Sequence, residues 1–176
     1  MGRIGTGVLK RLKGFGASNI LVNDIKPNRE LDNEYKLNWA SKEQIFKEAD
    51  IISFHIPLTH LTKNMITEGD LFSMKSDAII INTSRGGIIN EHDLYEVMQS
   101  GHLRGAAMDV FEKEPYDGPL KDIERCLLTA HMGSMSVDCR TRMEIESTEE
   151  AIRLLTGKKL ESEVPQEEYE IQFLGL

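Results

Sequence analysis

Residues 2–24, GRIGTGVLKRLKGFGASNILVND, decide how the fold is read. Gly2 and Gly5 are followed at once by a helical pattern, then by a strand that ends in Asp24. The arrangement matches the last two glycines of a Gly-x-Gly-x-x-Gly dinucleotide loop. Gly2 would let the backbone approach a pyrophosphate, and Gly5 would let helix and strand pack closely, with Arg3 and Ile4 between them. The phosphates would meet unpaired amides and the positive end of the helix dipole. Asp24 lies 22 residues after Gly2, where a carboxylate accepts bonds from both hydroxyls of an adenosine ribose and repels a 2′-phosphate. That favours NAD over NADP. The first glycine of the motif and the strand before it are absent from the sequence. Read alone, the half motif is also compatible with a simple tight turn, because glycine-rich helix starts are common.

Moving outward, apolar runs rich in β-branched residues alternate with segments of helical period, the signature of strand-helix units around a mostly parallel sheet. The first helix is expected over residues 5–15, with Val8, Leu12 and Phe15 on its inner face and Gly14 and Gly16 ending it. Strands are expected at 19–23, 35–39, 51–56, 78–83, 103–111 and 126–130. The runs at 51–56 and 78–83 are apolar enough to be covered on both faces. Ser41 and Gln44 form a capping box for a helix ending at Ala49. A small helix spans 68–74, and Asn90 caps one over 91–100 that stops at Gly101. The last helix, 137–156, carries Val137, Thr141, Ile145, Thr148, Ile152 and Leu155 on one face, and Gly157 closes it.

The 176 residues bring one domain's worth of chain, 40% hydrophobic and 28% charged, which is ordinary for a globular protein. The net charge of −8 argues against nucleic acid as a partner, since phosphate-backbone binding needs clustered positive charge. No apolar run reaches the roughly 18 residues of a membrane span, and residues 1–16 lack the apolar stretch of a signal peptide, so the expected location is cytoplasmic, with no membrane contact. Cys126 and Cys139 read as buried, reduced thiols, and no spacing suggests a metal site. Nine Glu lie between 144 and 170 against Arg153, Lys158 and Lys159. They read as a solvated helix face followed by a loose acidic tail, residues 158–176, after a folded domain over 1–157.

Five segments then carry a resemblance: residues 2–24, His55-Ile56-Pro57-Leu58-Thr59, Ile81-Asn82-Thr83-Ser84-Arg85-Gly86-Gly87, Met108-Asp109-Val110-Phe111-Glu112-Lys113-Glu114-Pro115, and Thr129-Ala130-His131-Met132-Gly133. In order and spacing they resemble the NAD-binding domain of the D-isomer-specific 2-hydroxyacid dehydrogenases, the family that includes D-3-phosphoglycerate dehydrogenase. The resemblance covers about residues 2–157. It implies an α/β fold, a Rossmann-like doubly wound sheet, with NAD as cofactor and a D-2-hydroxy acid or 2-keto acid as substrate. It also implies dimerisation through this domain.

Reducing a 2-keto acid needs a cation near the carboxylate and carbonyl, a proton donor for the forming alkoxide, and a neighbour that holds the donor in place. The resemblance assigns these roles to Arg85, His131 and Glu114, with Glu114 orienting the ring and favouring its protonated form. It places Asp109 at the nicotinamide end of the cofactor. Arg3, Ile4, Ile56, Pro57, Thr83 and Ser84 would line the remainder largely through backbone, and Arg85, His131, Gly133 and Ser134 would border it. Taken singly, each of the three catalytic candidates has a plainer reading: a surface ion-pair partner, a packed ring, a solvated loop carboxylate. His55 is expected to border the cofactor, and His60, His92 and His102 to lie at the surface.

Two departures from the family pattern stand out. The sequence that builds the substrate domain is missing, as is the central first strand between 19–23 and 51–56, so the domain is expected to be truncated at its N-terminus. The expected outcomes are a sheet that closes up, a gap filled by another segment or chain, or a fragment of a longer product. Ala130 also replaces the usual Pro before His131, and Gly133-Ser134-Met135-Ser136 follows it where Gly-Gly-Ser/Ala-Thr is usual. The leading reading is an NAD-dependent oxidoreductase domain, and the alternative is an inactive NAD-binding or dimerisation module.

Overall fold

A computed structural model describes residues 1–17, 19–27 and 29–164. The far part of the expected acidic tail, from 165 onward, lies outside the described residues. Among the described residues six strands, all parallel to their neighbours, form two separate sheets. β1 (Ile20–Val22) pairs with β2 (Leu37–Trp39), while β3 (Ile51–Phe54), β4 (Ile79–Asn82), β5 (Gly105–Met108) and β6 (Cys126–Leu128) form a four-stranded sheet in that order. Among the described residues the α-helices are α1 (Arg3–Leu12), α2 (Asp32–Tyr35), α3 (Lys42–Glu48), α4 (Glu68–Ser73), α5 (Glu91–Ser100) and α6 (Val137–Leu155), one between each pair of successive strands except β5 and β6, which are linked through the 3₁₀ turn Pro119–Asp122. This is the parallel β-sheet with flanking helices that the alternation predicts, in the Rossmann-like form that the resemblance implies.

The four-stranded sheet buries one face well. Ile52, Phe54, Ile80, Ala106 and Met108 point toward Leu71 of α4 and toward Leu94, Val97 and Met98 of α5, with Ile66, Ile88 and Ile89 filling the layer. Each such side chain contributes about 1.5–3 kcal/mol by leaving water. The opposite face is thin: Ile51 is 60% exposed and Leu127 65%. The expectation that residues 51–56 and 78–83 are covered on both faces therefore fails for β3 and holds only partly for β4. The reason is topological. Each step from β3 to β5 moves one strand in the same direction, and right-handed crossovers in one direction place their helices on one side. α4 packs on α3 and on α5 along that side.

The smaller sheet has its own cluster, Leu9, Val22 and Leu37, with Met1, Ile20, Leu31, Tyr35 and Trp39 around it. Here the inner face of α1 differs from the expectation: Gly5 and Leu9 are buried, whereas Leu12 is exposed and Phe15 is 86% exposed. The helix begins at Arg3 and gives way after Leu12 to a single 3₁₀ turn, Lys13–Phe15, ended by Gly16 in the left-handed region. Leu9 packs with Val22 of β1 and Leu37 of β2, so contact with the smaller sheet, rather than the 8/12/15 stripe, sets the buried face of α1.

Among the described residues no strand pairing joins the two sheets, so they stay apart across the expected gap. The first residues lie at that gap: Met1 bonds Asp24 just after β1, and Gly5 packs beside His55 just after β3.

Caps largely follow the residue pattern. Ser41 Oγ accepts from Gln44 N–H at 3.2 Å, but the Gln44 amide turns to Glu48 rather than back to the cap, so the expected box is only half formed. At α4 the Asp70 carboxylate does reach back, accepting from the Thr67 backbone N–H at 3.0 Å and its hydroxyl at 2.9 Å. Asn90 accepts from His92 and Asp93, and Gly101 ends α5. α6 has no buried residue, and its apolar positions, Val137 to Leu155, stand in solvent. His102 is half-buried rather than a surface residue: it bonds the Met74 carbonyl, and its ring lies tilted against Phe72, centroids 5.1 Å apart. Both cysteines are free, and they are half-buried rather than buried, because β6 and α6 have an uncovered side.

Candidate active site

Parallel pairing in register puts Phe54, Asn82, Met108 and Leu128 side by side, so the loops leaving β3, β4, β5 and β6 emerge along one edge. Ligand chemistry in open α/β sheets collects at such an edge. His55, Arg85, Asp109, Glu114 and His131 all follow those strand ends.

Asn82 organises the loop after β4. It is fully buried, its Oδ1 accepts from the Ser84 N–H at 3.1 Å and hydroxyl at 2.7 Å, and its Nδ2 donates to the Arg85 carbonyl at 2.9 Å. A buried amide is costly unless satisfied, and these bonds satisfy it while curling the backbone so that Arg85 projects outward. Gly86 then lies directly on the next loop. A Cβ there would sit 2.0 Å from the Phe111 carbonyl, so only glycine permits the approach.

Asp109, buried at the end of β5, shapes the loop after β6. Its backbone carbonyl accepts the His131 N–H at 2.8 Å, and its Oδ1 accepts the Met132 N–H at 2.9 Å and the Thr129 hydroxyl. His131 is held in the left-handed region, φ +53°, a conformation that costs a residue with a Cβ about 1–2 kcal/mol. Gly133 and Ser134 belong to the single 3₁₀ turn that follows, Met132–Ser134.

His131 Nδ1 lies 3.0 Å from Glu114 Oε2, and Glu114 Oε1 accepts the Phe111 N–H at 3.1 Å. The bond to His131, followed by the Phe111 amide, holds the Glu114 carboxyl below its ordinary value. Because Nδ1 is engaged, Nε2 is the ring nitrogen left to exchange a proton. Arg85, Glu114 and His131 line one cleft of about 400 Å³ with Leu58, Lys63 and Phe111. The three residues are thus brought together from three loops.

The dinucleotide end is assembled separately. Gly2 is the residue before α1, and a Cβ there would meet nothing within 4 Å, which leaves open space over the backbone. Arg3 and Ile4 form the exposed first turn. Gly5 is buried, its would-be Cβ 3.1 Å from the Met1 side chain and 3.7 Å from His55. Asp24 Oδ1 accepts the Lys26 N–H at 2.9 Å, and Oδ2 pairs with the Met1 α-ammonium at 3.0 Å. Of the remaining expected lining, Ile56 and Ser84 are half-buried, and Pro57 and Thr83 are exposed. His55 is half-buried beneath α1. Its Nε2 meets Ser53 Oγ at 3.0 Å, its Nδ1 has no hydrogen-bond partner among the described residues, and burial pushes its pKa down.

Asn82, Thr129, Gly86 and Lys63 were not among the expected site residues. A polar residue ending the apolar run 78–81 could have pointed to Asn82. Nothing in sequence spacing pairs Thr129 with Asp109 or Gly86 with Phe111, because those contacts cross between strands.

The model of the D-isomer-specific 2-hydroxyacid dehydrogenase NAD-binding domain matches residues 1–133. A glyoxylate reductase of Korarchaeum cryptofilum is 39% identical over 160 residues, 90% of this chain and 48% of that protein. A D-3-phosphoglycerate dehydrogenase of Methanocaldococcus jannaschii is 36% identical over 166 residues, 93% of this chain and 32% of that protein. The crystal structure of a glyoxylate reductase from Paecilomyes thermophila superposes with a TM-score of 0.86 at 30% identity, covering 95% of this chain and 51% of that one. The chain therefore spans about half or less of the length of these relatives. With its parallel sheet, its strand-end loops and a match over residues 1–133, the chain belongs to the D-isomer-specific 2-hydroxyacid dehydrogenases through their NAD-binding domain.

Proposed function

We propose that this chain is the NAD-binding half of an oxidoreductase that interconverts a D-2-hydroxy acid and its 2-keto acid. The observation that carries the reading is the His131–Glu114 pair, 3.0 Å apart, in the same cleft as Arg85.

The residues at the first turn of α1 fit a dinucleotide. Gly2 at the N-cap brings no side-chain cap and leaves room over the backbone, and Gly5 lets the turn sit against His55. Asp24 would take the adenosine ribose by exchanging its bond to the Met1 ammonium for the two hydroxyls. Bound NADH would supply the hydride. Arg85 would hold the substrate carboxylate through its planar fork and polarise the neighbouring carbonyl. His131 would give a proton from Nε2 to the forming alkoxide, and Glu114 would keep the ring in the tautomer that allows this and offset the imidazolium charge. In the reverse direction His131 accepts the proton.

A second reading, a binding or dimerising module without turnover, is favoured by a specific feature: α6 has no buried residue and carries Val137, Ile145, Ile152 and Leu155 into solvent. A second copy would cover that face, giving a homodimer.

Titrating the purified chain with NADH and NADPH, followed by cofactor fluorescence, tests the cofactor assignment. Saturable binding selective for NADH supports it, and selectivity for NADPH refutes the role of Asp24. Turnover of a 2-keto acid that His131→Ala abolishes supports the enzyme, whereas tight NADH binding without turnover, with a dimeric native mass, supports the module.

A further inference from the structure

The catalytic reading makes no use of Glu91, the first residue of α5. Its Oε1 accepts the Glu112 backbone N–H at 2.6 Å, a bond that joins residues 21 apart in sequence. The carboxyl is half-buried; burial pushes its pKa up, the Glu112 amide opposes that, and the charges of Glu112 and Glu114 add to the rise. Keeping a carboxylate half out of water near two others is unfavourable unless something is gained.

What it holds is the short segment that presents Glu114. Phe111 N–H donates to Glu114 Oε1, Glu114 Oε2 bonds His131, and Glu112 lies between the two ends of that arrangement. Phe111 stacks on Tyr116 at 4.1 Å, and the Gly86-Gly87 turn presses on the Phe111 carbonyl and the Glu112 side chain. These contacts press on the segment without bonding it. The Glu91 carboxylate supplies a directed bond from a helix of the buried body.

We propose that Glu91 is a positioning residue for the His131–Glu114 pair: it pins the Glu112 amide and so holds Glu114 where it meets the imidazole. Its catalytic meaning rests on the roles proposed for His131 and Glu114, but the geometry is independent of cofactor.

The test is a carbon-detected NMR titration of the Glu114 carboxyl in the whole 176-residue chain, assigned by the signal that Glu114→Gln removes. Glu91→Gln deletes the charge but keeps an acceptor oxygen, so the Glu114 midpoint should stay or fall slightly as repulsion is lost. Glu91→Ala deletes both, and the midpoint should rise toward the ordinary carboxylate value by about 0.5 pH unit or more as the segment loosens. Equal midpoints in the two variants would overturn the proposal. If the alanine variant does not fold, Glu91→Asp, one methylene short, is read in its place: a risen midpoint supports the role and an unchanged one overturns it. NADH titration of the same samples separates the two claims, because failure of the wild-type chain to bind NADH sinks the cofactor reading and leaves the Glu114 result standing.

Discussion

The body built on β3–β6 and the smaller unit built on β1 and β2 read alike in sequence, each an apolar strand joined to an amphipathic helix, yet they bury very different amounts. In the body, Ile66, Leu71, Ile80, Leu94, Val97 and Met98 are wholly sealed from water. In the smaller unit the buried apolar side chains among the described residues are Leu9, Val22 and Leu37. A strand with a neighbour on each side, such as β4 or β5, satisfies its backbone twice over. β1 has one neighbour, and a two-stranded unit is marginal by itself. The difference teaches where the site is firm. Arg85, Glu114 and His131 stand on the body, whereas Gly2, Gly5 and Asp24 stand on the smaller unit.

The largest effect should come from breaking the body. Leu94→Ala should cost about 2–5 kcal/mol, read as a fall in the urea midpoint by circular dichroism. Leu9→Ala should leave that transition nearly in place and move the fluorescence of Trp39, the single tryptophan, which sits in β2. Coincident shifts of both signals in Leu9→Ala would show instead that the two regions melt as one.

Next in size is Gly86→Ala, which forces a Cβ onto the Phe111 carbonyl. A loss of about 1–3 kcal/mol is expected, together with weakening of any NADH-dependent turnover, while the Trp39 signal stays unchanged. A variant as stable as the wild type would mean the loop has room that the 2.0 Å approach denies.

A smaller effect concerns pH. The folded-state pKa of Glu114 is lowered, so its contribution is present above the ordinary value of 4.5 and is lost as pH falls through the lowered one. The difference in urea midpoint between wild type and Glu114→Gln should therefore be present at pH 6 and shrink as pH falls below 4.5. A difference that grows on acidification would contradict the pairing.

The smallest is chemical. Burial pushes the Cys126 thiol up to about 11, so at pH 8 iodoacetamide should modify it about tenfold or more slowly in the folded chain than in urea. Equal rates would show that β6, at the edge of the body, is open like the smaller unit.

Much of this was legible beforehand because it is local. The strands at 51–56 and 78–83 announce themselves by apolar runs, α5 by Asn90 and Gly101 at its ends, and the candidate catalytic set by the order of its motifs. Other features were not. The buried face of α1 depended on which side of the helix met β1 and β2, which put Leu9 inside and left Leu12 outside. The coverage of β3 depended on which side the crossover helices took, and the bond that the Glu112 N–H donates to Glu91 joins a loop to the first turn of α5, which no spacing brings together.

The sequence by itself determined the alternation of elements, the parallel class and the family, since periodicity, caps and motif order are properties of neighbouring residues. Only the tertiary structure decided that the sheet divides between β1 and β3, that α6 buries nothing, and that Asn82, Asp109 and Glu91 hold the loops bearing Arg85, His131 and Glu114. Those outcomes depend on backbone pairing and burial between segments far apart in the chain, and the energy of such contacts exists only once the segments have met.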